Sequence, residues 1–189
     1  MSLIKLINNS LTDKNTIHSY LDLYETLLSS KKYTAKNILE IGIHRGGSIK
    51  LWYDYFPNAT IYGVDINNMN RILNELKNNK RICLCTSSNA YDVDFFETKL
   101  FNINTKFDMV LDDGPHTLES MKLFINLYSQ LLCDDGILII EDVQNWEWIE
   151  ILKECVPNNL KSFIQTYDLR ENKGRYDDIV FVINKHINN

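Results

Sequence analysis

Short apolar runs alternate with amphipathic segments along most of the chain. Apolar residues at three- and four-residue spacing between Thr12 and Ser30 predict a first helix, which Thr12 or Asp13 can cap. Later apolar runs predict strands, and the segments between them predict further helices. The predicted strands are residues 37–43, 60–66, 81–86, 107–112, 137–142, 161–169 and 178–184, and the later predicted helices are residues 46–56, 70–77, 94–100, 118–132 and 146–155.

Strand and helix alternate five times in this pattern. Such alternation predicts a parallel sheet that is covered by helices on both faces and joined by right-handed crossovers. The last two predicted strands are separated by residues 171–174, a connection short enough for a hairpin, so an antiparallel pair should close the sheet. A plain dinucleotide-binding fold would continue to alternate strand and helix to its end.

Size and composition narrow the function classes. A chain of 189 residues without a Ser-, Gly- or Pro-rich linker fits one domain. The net charge of −5 argues against a nucleic-acid partner, because nucleic-acid binders carry a basic face. The four cysteines match no zinc spacing, which favours a reducing compartment. With no signal peptide and no apolar run of roughly 20 residues, we expect a cytoplasmic protein without a membrane partner.

A glycine-rich turn follows the first predicted strand. Gly42, Gly46 and Gly47 would let the backbone turn tightly and let a ligand approach closely, and the helix opening at Ser48 presents free N–H groups. The G-x-x-x-G-G spacing departs from the G-x-G-x-x-G of NAD sites. It favours a ligand that meets the loop through a carboxylate or a ribose, although a tight turn without a ligand also explains the glycines.

Two aspartates after the next strands extend this candidate cofactor site. Asp65 ends the second strand, where a carboxylate can accept both ribose hydroxyls, and its alternative role is a helix cap or a solvated turn. Asp92 follows the third strand and could reach an adenine amino group, and a helix cap is equally consistent with its position.

Acidic residues end the fourth and fifth predicted strands, as Asp112-Asp113 and Glu141-Asp142. The carboxyl ends of parallel strands meet in one crevice, and carboxylate oxygens are the ligands that Mg²⁺ prefers. Side chains alternate along a strand, so Asp112 and Asp113 should point to opposite sides, and Asp113 is the better ligand. Glu141 and Asp142 can both coordinate only if the strand has already ended.

His116 follows Asp113 across a Gly-Pro turn that can hold its imidazole over the crevice. Unperturbed histidine titrates near neutral pH and therefore suits a general base, while a structural histidine is the alternative. Trp146 follows the second acidic pair, where its ring could stack on a sugar, or it could simply pack against the following helix.

Four motifs in this order resemble the class I S-adenosylmethionine-dependent methyltransferases: residues 38–42, 61–65, 107–114 and 136–142. The resemblance implies an α/β, Rossmann-like, three-layer αβα sandwich with a seven-stranded, mostly parallel sheet and an antiparallel last strand. It implies S-adenosylmethionine as the cofactor and one methyltransferase domain over residues 1–189. The cofactor-binding residues would be Glu40, Gly42, Gly46, Gly47, Ser48, Asp65, Asp92 and Asp112.

Within that family the pattern looks most similar to the metal-dependent sugar O-methyltransferases that modify macrolide antibiotics. Those carry Asp-Asp-Gly-Ser-His and a Glu-Asp pair in these places, so the resemblance implies Mg²⁺ on Asp113, Glu141 and Asp142, with His116 as the base and Asp113 also catalytic. Pro115 replaces the usual serine, and the sequence is shorter than those enzymes. Residues 1–35 would form a helical segment on the acceptor side, where Tyr20 and Trp146 would contact the acceptor.

The predicted function is methyl transfer from S-adenosylmethionine to a hydroxyl of a sugar or glycoconjugate. The partner would be a small-molecule or glycan acceptor, and a homo-oligomer is possible. Three alternatives remain: a metal-independent small-molecule methyltransferase, a non-catalytic S-adenosylmethionine-binding subunit, and a nicotinamide oxidoreductase, which the glycine spacing disfavours.

Overall fold

A seven-stranded sheet forms the centre of the protein. The structure, a computed structural model, describes residues 1–102 and 104–188. The strand order is β3-β2-β1-β4-β5-β7-β6; β1 to β5 pair in parallel, and β7 runs antiparallel to both β5 and β6. This confirms the predicted fold class. The strands are β1 Asn37–Ile41, β2 Thr60–Asp65, β3 Ile82–Thr86, β4 Phe107–Asp112, β5 Leu132–Ile140, β6 Ile164–Asp168 and β7 Ile179–Asn184.

Helices cover both faces of this sheet. The helices are α1 Leu3–Leu6, α2 Leu21–Leu28, α3 Gly47–Tyr55, α4 Val93–Phe95, α5 Leu118–Tyr128, α6 Trp148–Cys155 and α7 Arg170–Lys173. Because neighbouring strand residues face opposite ways, Ile38 packs into a core with α2 and α3, whereas Leu39 packs into a second core with α5 and α6. Among the described helices, we find none with the length and apolar character that crossing a bilayer requires.

The helix predicted over residues 12–30 forms only in its second half, as α2. Before it, the backbone N–H groups of Thr16, Ile17 and His18 all donate to the carbonyl of Asp13, which makes a tight turn instead of a regular ladder. The apolar spacing is real, and Tyr20, Tyr24 and Leu28 are buried. The polar residues at the start of the predicted helix do not become helical, because they contact residues at the ends of distant strands. The local sequence pattern holds no information about such contacts.

One other local prediction was wrong. Residues 70–77 form two short 3₁₀ turns, Met69–Arg71 and Asn74–Leu76, because the side chain of Asn68 accepts a hydrogen bond from the backbone of Asn70 and favours a turn over a helix. The closing antiparallel pair is confirmed, since β6 and β7 pair antiparallel, and the connection between them contains the short helix α7, which is followed by Gly174 with φ 70°. The strand boundary at Ile140 leaves Glu141 and Asp142 beyond β5, as joint coordination requires.

Candidate active site

The turn after β1 brings two strand ends into contact. Gly42 has φ 82°, and a side chain at this position would collide with the backbone carbonyl of Asp113. The Asp113 N–H donates to the carbonyl of Ile41 at 2.9 Å. Glycine is therefore required here both for the left-handed backbone and for the close approach of the segment after β4.

A cavity of about 470 Å³ opens at this end of the sheet. Four predicted site residues share its wall, since Gly42, Asp65, Asp113 and His116 all line it. The remaining wall comes largely from the loops after β2 and β3: Ile66, Asn67, Ser88, Asn89, Ala90 and Tyr91. The carboxyl ends of β1, β2, β3 and β4 thus converge on one space, where ligands bind in open α/β sheets.

Asp65 organises the backbone beside this cavity. Its carboxylate accepts hydrogen bonds from the N–H groups of His44 at 2.7 Å, Ile43 at 2.9 Å and Asn67 at 2.6 Å. These bonds tie the turn after β1 to the end of β2. A ribose contact by Asp65 remains a prediction, and the carboxylate stands in the cavity wall where such a contact would be made.

The glycines that open α3 face protein rather than the cavity wall. Gly46 has φ 88°, and a side chain there would strike Leu76, while one at Gly47 would strike the carbonyl of Leu11. Ser48 is buried on the same helix. Cofactor contacts by these three residues stay predictions, and packing alone already accounts for both glycines.

Three further predicted cofactor residues also lie outside the cavity wall. Glu40 is fully buried and accepts a hydrogen bond from Trp52 Nε1 at 3.0 Å. Asp92 caps α4 by accepting from the N–H of Phe95 at 2.8 Å, the alternative role that its position allowed. Asp112 accepts from the hydroxyl of Tyr91, and burial raises its pKa to about 7.

A buried lysine lies among the acidic residues. Lys14 is 1% exposed, and its Nζ lies 2.7 Å from Asp113 Oδ2 and 3.8 Å from Glu40 Oε1, and also donates to Glu141. Burial by itself would lower the pKa of Lys14, but the surrounding carboxylates raise it well above its usual value. Lys14 therefore stays charged, and burial still raises the pKa of Glu141.

Tyrosines from α2 and its N-terminal flank bind the acidic pair after β5. Tyr24 donates its hydroxyl to Glu141, and Tyr20 donates to Asp142. Burial, together with the neighbouring carboxylates, raises the pKa of both phenols, so both remain protonated donors. Tyr20 is itself buried, and its hydroxyl is occupied by Asp142, so the predicted acceptor contact by Tyr20 stays a prediction.

His18 ties the same acidic pair to β7. Its Nδ1 lies 2.7 Å from Asp178 Oδ1 and 3.1 Å from Asp142 Oδ1, and Ser19 donates to the other oxygen of Asp178 at 2.7 Å. The hydrogen bond from Tyr20 and the close contact with His18 thus fix Asp142, the second acidic residue, from the side of the N-terminal segment. Its pKa is raised, chiefly by burial.

His116 faces both acidic strand ends. Its Nε2 lies 3.8 Å from Asp113 Oδ1, and its Nδ1 lies 3.6 Å from Asp142 Oδ2. Ligand atoms of His116, Asp113 and Asp142 all lie within 4.8 Å of one another. Asp113 lines the cavity and Asp142 lies next to His116, and two such carboxylates fit a hard divalent cation such as Mg²⁺. Glu141, the third predicted ligand, has its oxygens engaged by Lys14 and Tyr24.

Sequence reasoning did not foresee several residues at this site. Lys14 and His18 lie four positions apart, as do Tyr20 and Tyr24, and this spacing places side chains on one helical face. That regularity was the available signal, although it could not identify the partners. Trp146 lies 41% exposed after β5, with the Arg170 guanidinium 5.8 Å from its ring centre, so its predicted acceptor contact remains open.

Curated relatives of the chain are sugar O-methyltransferases. It is 27% identical over 139 residues to L-olivosyl-oleandolide 3-O-methyltransferase of Streptomyces antibioticus, covering 70% of this chain and 34% of that protein. It is 26% identical over 158 residues to demethylmacrocin O-methyltransferase of Streptomyces fradiae, covering 76% of this chain and 37% of that protein. The chain thus spans about a third of the length of these relatives. No known family model matches it.

Solved structures give the fold. The MycE methyltransferase from the mycinamycin biosynthetic pathway, solved in complex with Mg, SAH and mycinamycin VI, superposes with a TM-score of 0.75 at 20% identity, over 97% of this chain and 53% of that one. The chain has the class I methyltransferase fold. A putative caffeoyl-CoA O-methyltransferase from Staphylococcus aureus shares this methyltransferase fold with a TM-score of 0.59 at 20% identity, over 96% of this chain and 91% of that one.

Proposed function

We propose that this chain transfers a methyl group from S-adenosylmethionine to a hydroxyl of a sugar or glycoconjugate, with Mg²⁺ at the acidic strand ends. One observation carries the proposal: Asp113 and His116 line the same cavity as Asp65, and Asp142 lies beside them. A donor site and an acid–base site therefore share one space. The named activities of the curated relatives and the fold shared with MycE support this combination.

The proposed donor site uses the cavity wall between Gly42 and Asp65. The carboxylate of Asp65 can accept ribose hydroxyls while its backbone hydrogen bonds hold it in place. Gly42 lines the same cavity, and its lack of a side chain lets the segment after β4 approach this wall closely. These two residues would bind and orient the donor and take no part in proton transfer.

The proposed acceptor chemistry belongs to Asp113, Glu141, Asp142 and His116. The three carboxylates would hold the divalent cation, which would lower the pKa of an acceptor hydroxyl beside it. His116 removes the hydroxyl proton onto a ring nitrogen, assisted by the carboxylates on either side of its ring. The acceptor oxygen then forms a bond to the methyl carbon as the sulfur–carbon bond of the donor breaks. Correct placement of the two reactants supplies much of the acceleration.

Direct binding and transfer measurements test this function. Calorimetry should show S-adenosylmethionine and S-adenosylhomocysteine binding and no binding of NAD. Radiolabelled donor, incubated with a panel of free sugars, nucleotide sugars and glycosylated small molecules, should label one acceptor class in a Mg²⁺-dependent way. NAD binding without S-adenosylmethionine binding would overturn the proposal. Binding of S-adenosylmethionine without transfer to any acceptor would favour a non-catalytic subunit. Transfer in excess EDTA would show that the reaction does not need the metal.

The remaining expectations extend this proposal. A small-molecule acceptor agrees with the glycosylated small molecules that the names of the relatives print. A single domain over residues 1–189, a cytoplasmic location, a homo-oligomer and the absence of a nucleic-acid partner stay predictions from the sequence.

A further inference from the structure

Lys14 lies in direct contact with the acidic residues, which no sequence pattern indicated. Its ammonium contacts Asp113 at 2.7 Å and donates to Glu141, two of the three residues predicted to bind the metal. Glu40 Oε1 lies 3.8 Å away and is a buried oxygen without a hydrogen-bond partner. The Lys14 ammonium thus faces three carboxylates in a buried setting. Two of them, those of Asp113 and Glu141, are groups that a divalent cation would also need as ligands.

We propose that the Lys14 ammonium and a divalent cation compete for Asp113 and Glu141, so that Lys14 is a positioning residue that limits how tightly the site holds metal. This inference rests on the metal site of the proposed function. It adds a residue, outside the predicted ligand set, that tunes that site. Its physical basis is that both cations require the same two carboxylate groups.

Charge repulsion makes it costly for the Lys14 ammonium and a divalent cation to contact Asp113 and Glu141 at the same time. Like charges repel strongly at short range when they are shielded from water, and Lys14 is 1% exposed. A divalent ion that takes Asp113 and Glu141 as ligands must therefore displace the ammonium from at least one of them. Removal of the ammonium would leave Glu40, Asp113 and Glu141 uncompensated, and such a set attracts a divalent cation more strongly.

The backbone around Lys14 would transmit this competition to the N-terminal segment. Residues 13–18 turn tightly on the carbonyl of Asp13, and Lys173 donates to the carbonyls of Asn15 and His18. The segment is thus held by Lys14 on the acidic residues, by His18 on Asp178, and by Lys173 on the connection before β7. Displacement of Lys14 releases the first of these contacts and leaves the others.

Metal titration of matched variants tests the competition. The Lys14→Met protein should bind Mn²⁺ at least about tenfold more tightly than wild type, measured by calorimetry and by electron paramagnetic resonance without donor or acceptor. Lys173→Met is the matched control, since it removes an α7 ammonium that holds the same segment through the backbone carbonyls of Asn15 and His18, and its Mn²⁺ affinity should equal that of wild type. Equal or weaker Mn²⁺ binding by Lys14→Met overturns the inference.

A second measurement needs no variant and covers a Lys14→Met protein that does not fold. Hydrogen–deuterium exchange of wild type should become faster in residues 13–20 when Mg²⁺ is added, because Lys14 loses its partners, whereas exchange in β6, which carries none of the site residues, should not change. Unchanged or slower exchange in residues 13–20 overturns the competition. Because both measurements omit the donor, their failure leaves S-adenosylmethionine binding and methyl transfer to be decided separately by the assays above.

Discussion

Two buried lysines lie at opposite ends of the sheet and face unlike sets of acids. Lys14, at the carboxyl ends of the strands, contacts Asp113, Glu141 and Glu40, while Lys31, near the amino end of β5, pairs with Asp135 at 2.6 Å. Both lysines are 1% exposed, but Asp135 is 44% exposed in its side chain and Glu141 only 2%. Each site contains one buried lysine ammonium, and the two sites differ in the number and the burial of the carboxylates that face it.

The pKa values of the acids record this difference. The hydrogen bond from Lys31 lowers the pKa of Asp135, the ordinary result for one ammonium beside one carboxylate. Burial raises the pKa of Glu40 and Glu141 although Lys14 faces both. A surplus of buried acid is costly for folding, so its presence at one end of the sheet indicates function there. At the other end, the pair of Lys31 and Asp135 needs only a structural explanation.

The most severe test of this contrast is His116→Ala. If the carboxyl end of the sheet is the catalytic end, loss of the base should lower the methyl-transfer rate by about 10²- to 10⁴-fold on the acceptor found by screening. Affinity for S-adenosylmethionine, measured by calorimetry, should stay near the wild-type value. Full turnover in the variant would remove His116 from the mechanism, and loss of donor binding would show that its role is structural.

Lys31→Met should affect stability and leave catalysis alone. Loss of the buried ammonium leaves Asp135 with only its contacts to Cys133 and His186, and because Asp135 reaches water the cost should be about 1–2 kcal/mol, below that of breaking a fully buried pair. Urea denaturation gives the free energy of unfolding, and the transfer rate per folded molecule gives the activity. A changed rate at unchanged stability would contradict the assignment of a structural role to this end of the sheet.

Glu40→Gln tests the excess of buried carboxylates around Lys14 through the pH dependence of stability. Lys14, Asp113, Ser48 and Trp52 surround the Glu40 carboxylate, and burial raises its pKa from 4.5 to about 7. Between these values the native protein keeps a proton that the unfolded chain has lost, so wild-type stability falls as pH rises through this window.

Glutamine carries no such proton, so the melting temperature of Glu40→Gln relative to wild type should rise by a few degrees between about pH 5 and about pH 8. Thermal scans at several pH values, with Lys31→Met as the comparison, measure this difference. A difference that is constant across the pH range would mean that Glu40 ionises normally in the folded protein.

The smallest expected difference between the two sites is in how their effects on stability depend on salt concentration. Salt screens exposed pairs more than buried ones, so raising NaCl from about 0.05 to 0.5 M should reduce the stability cost of Lys31→Met by a few tenths of a kcal/mol. The shift caused by Glu40→Gln should not respond, because its surroundings exclude solvent ions. The same urea and thermal experiments, repeated at both concentrations, provide the measurement, and an equal response at both sites would erase the distinction.

The sheet was predictable from sequence because each buried strand is a continuous apolar run. The convergence of Gly42, Asp65, Asp113 and His116 followed from the rule that parallel strands end on one side. Alternation along β4 also separated Asp113, which lines the cavity, from Asp112, which bonds with Tyr91. These successes depend on local pattern and on a rule of topology.

The role of Lys14 was not predictable from any local pattern. Its partners Asp113 and Glu141 lie 99 and 127 residues away along the chain, and helical spacing placed Lys14 in a regular helix that does not form there. The failed helix over residues 70–77 has a different cause, since Asn68 offers the backbone a competing hydrogen bond. Long-range charge pairs and local side-chain bonds both override apolar spacing.

His18 near the start of the chain bonds to Asp178, 160 residues later. During synthesis on a ribosome, the His18 contact with Asp178 therefore cannot form until Asp178 has emerged, whereas Lys14 can meet Asp113 and Glu141 earlier. Contacts of such long sequence separation form slowly. A product truncated before Asp178 would lack this anchor of the segment that carries both side chains.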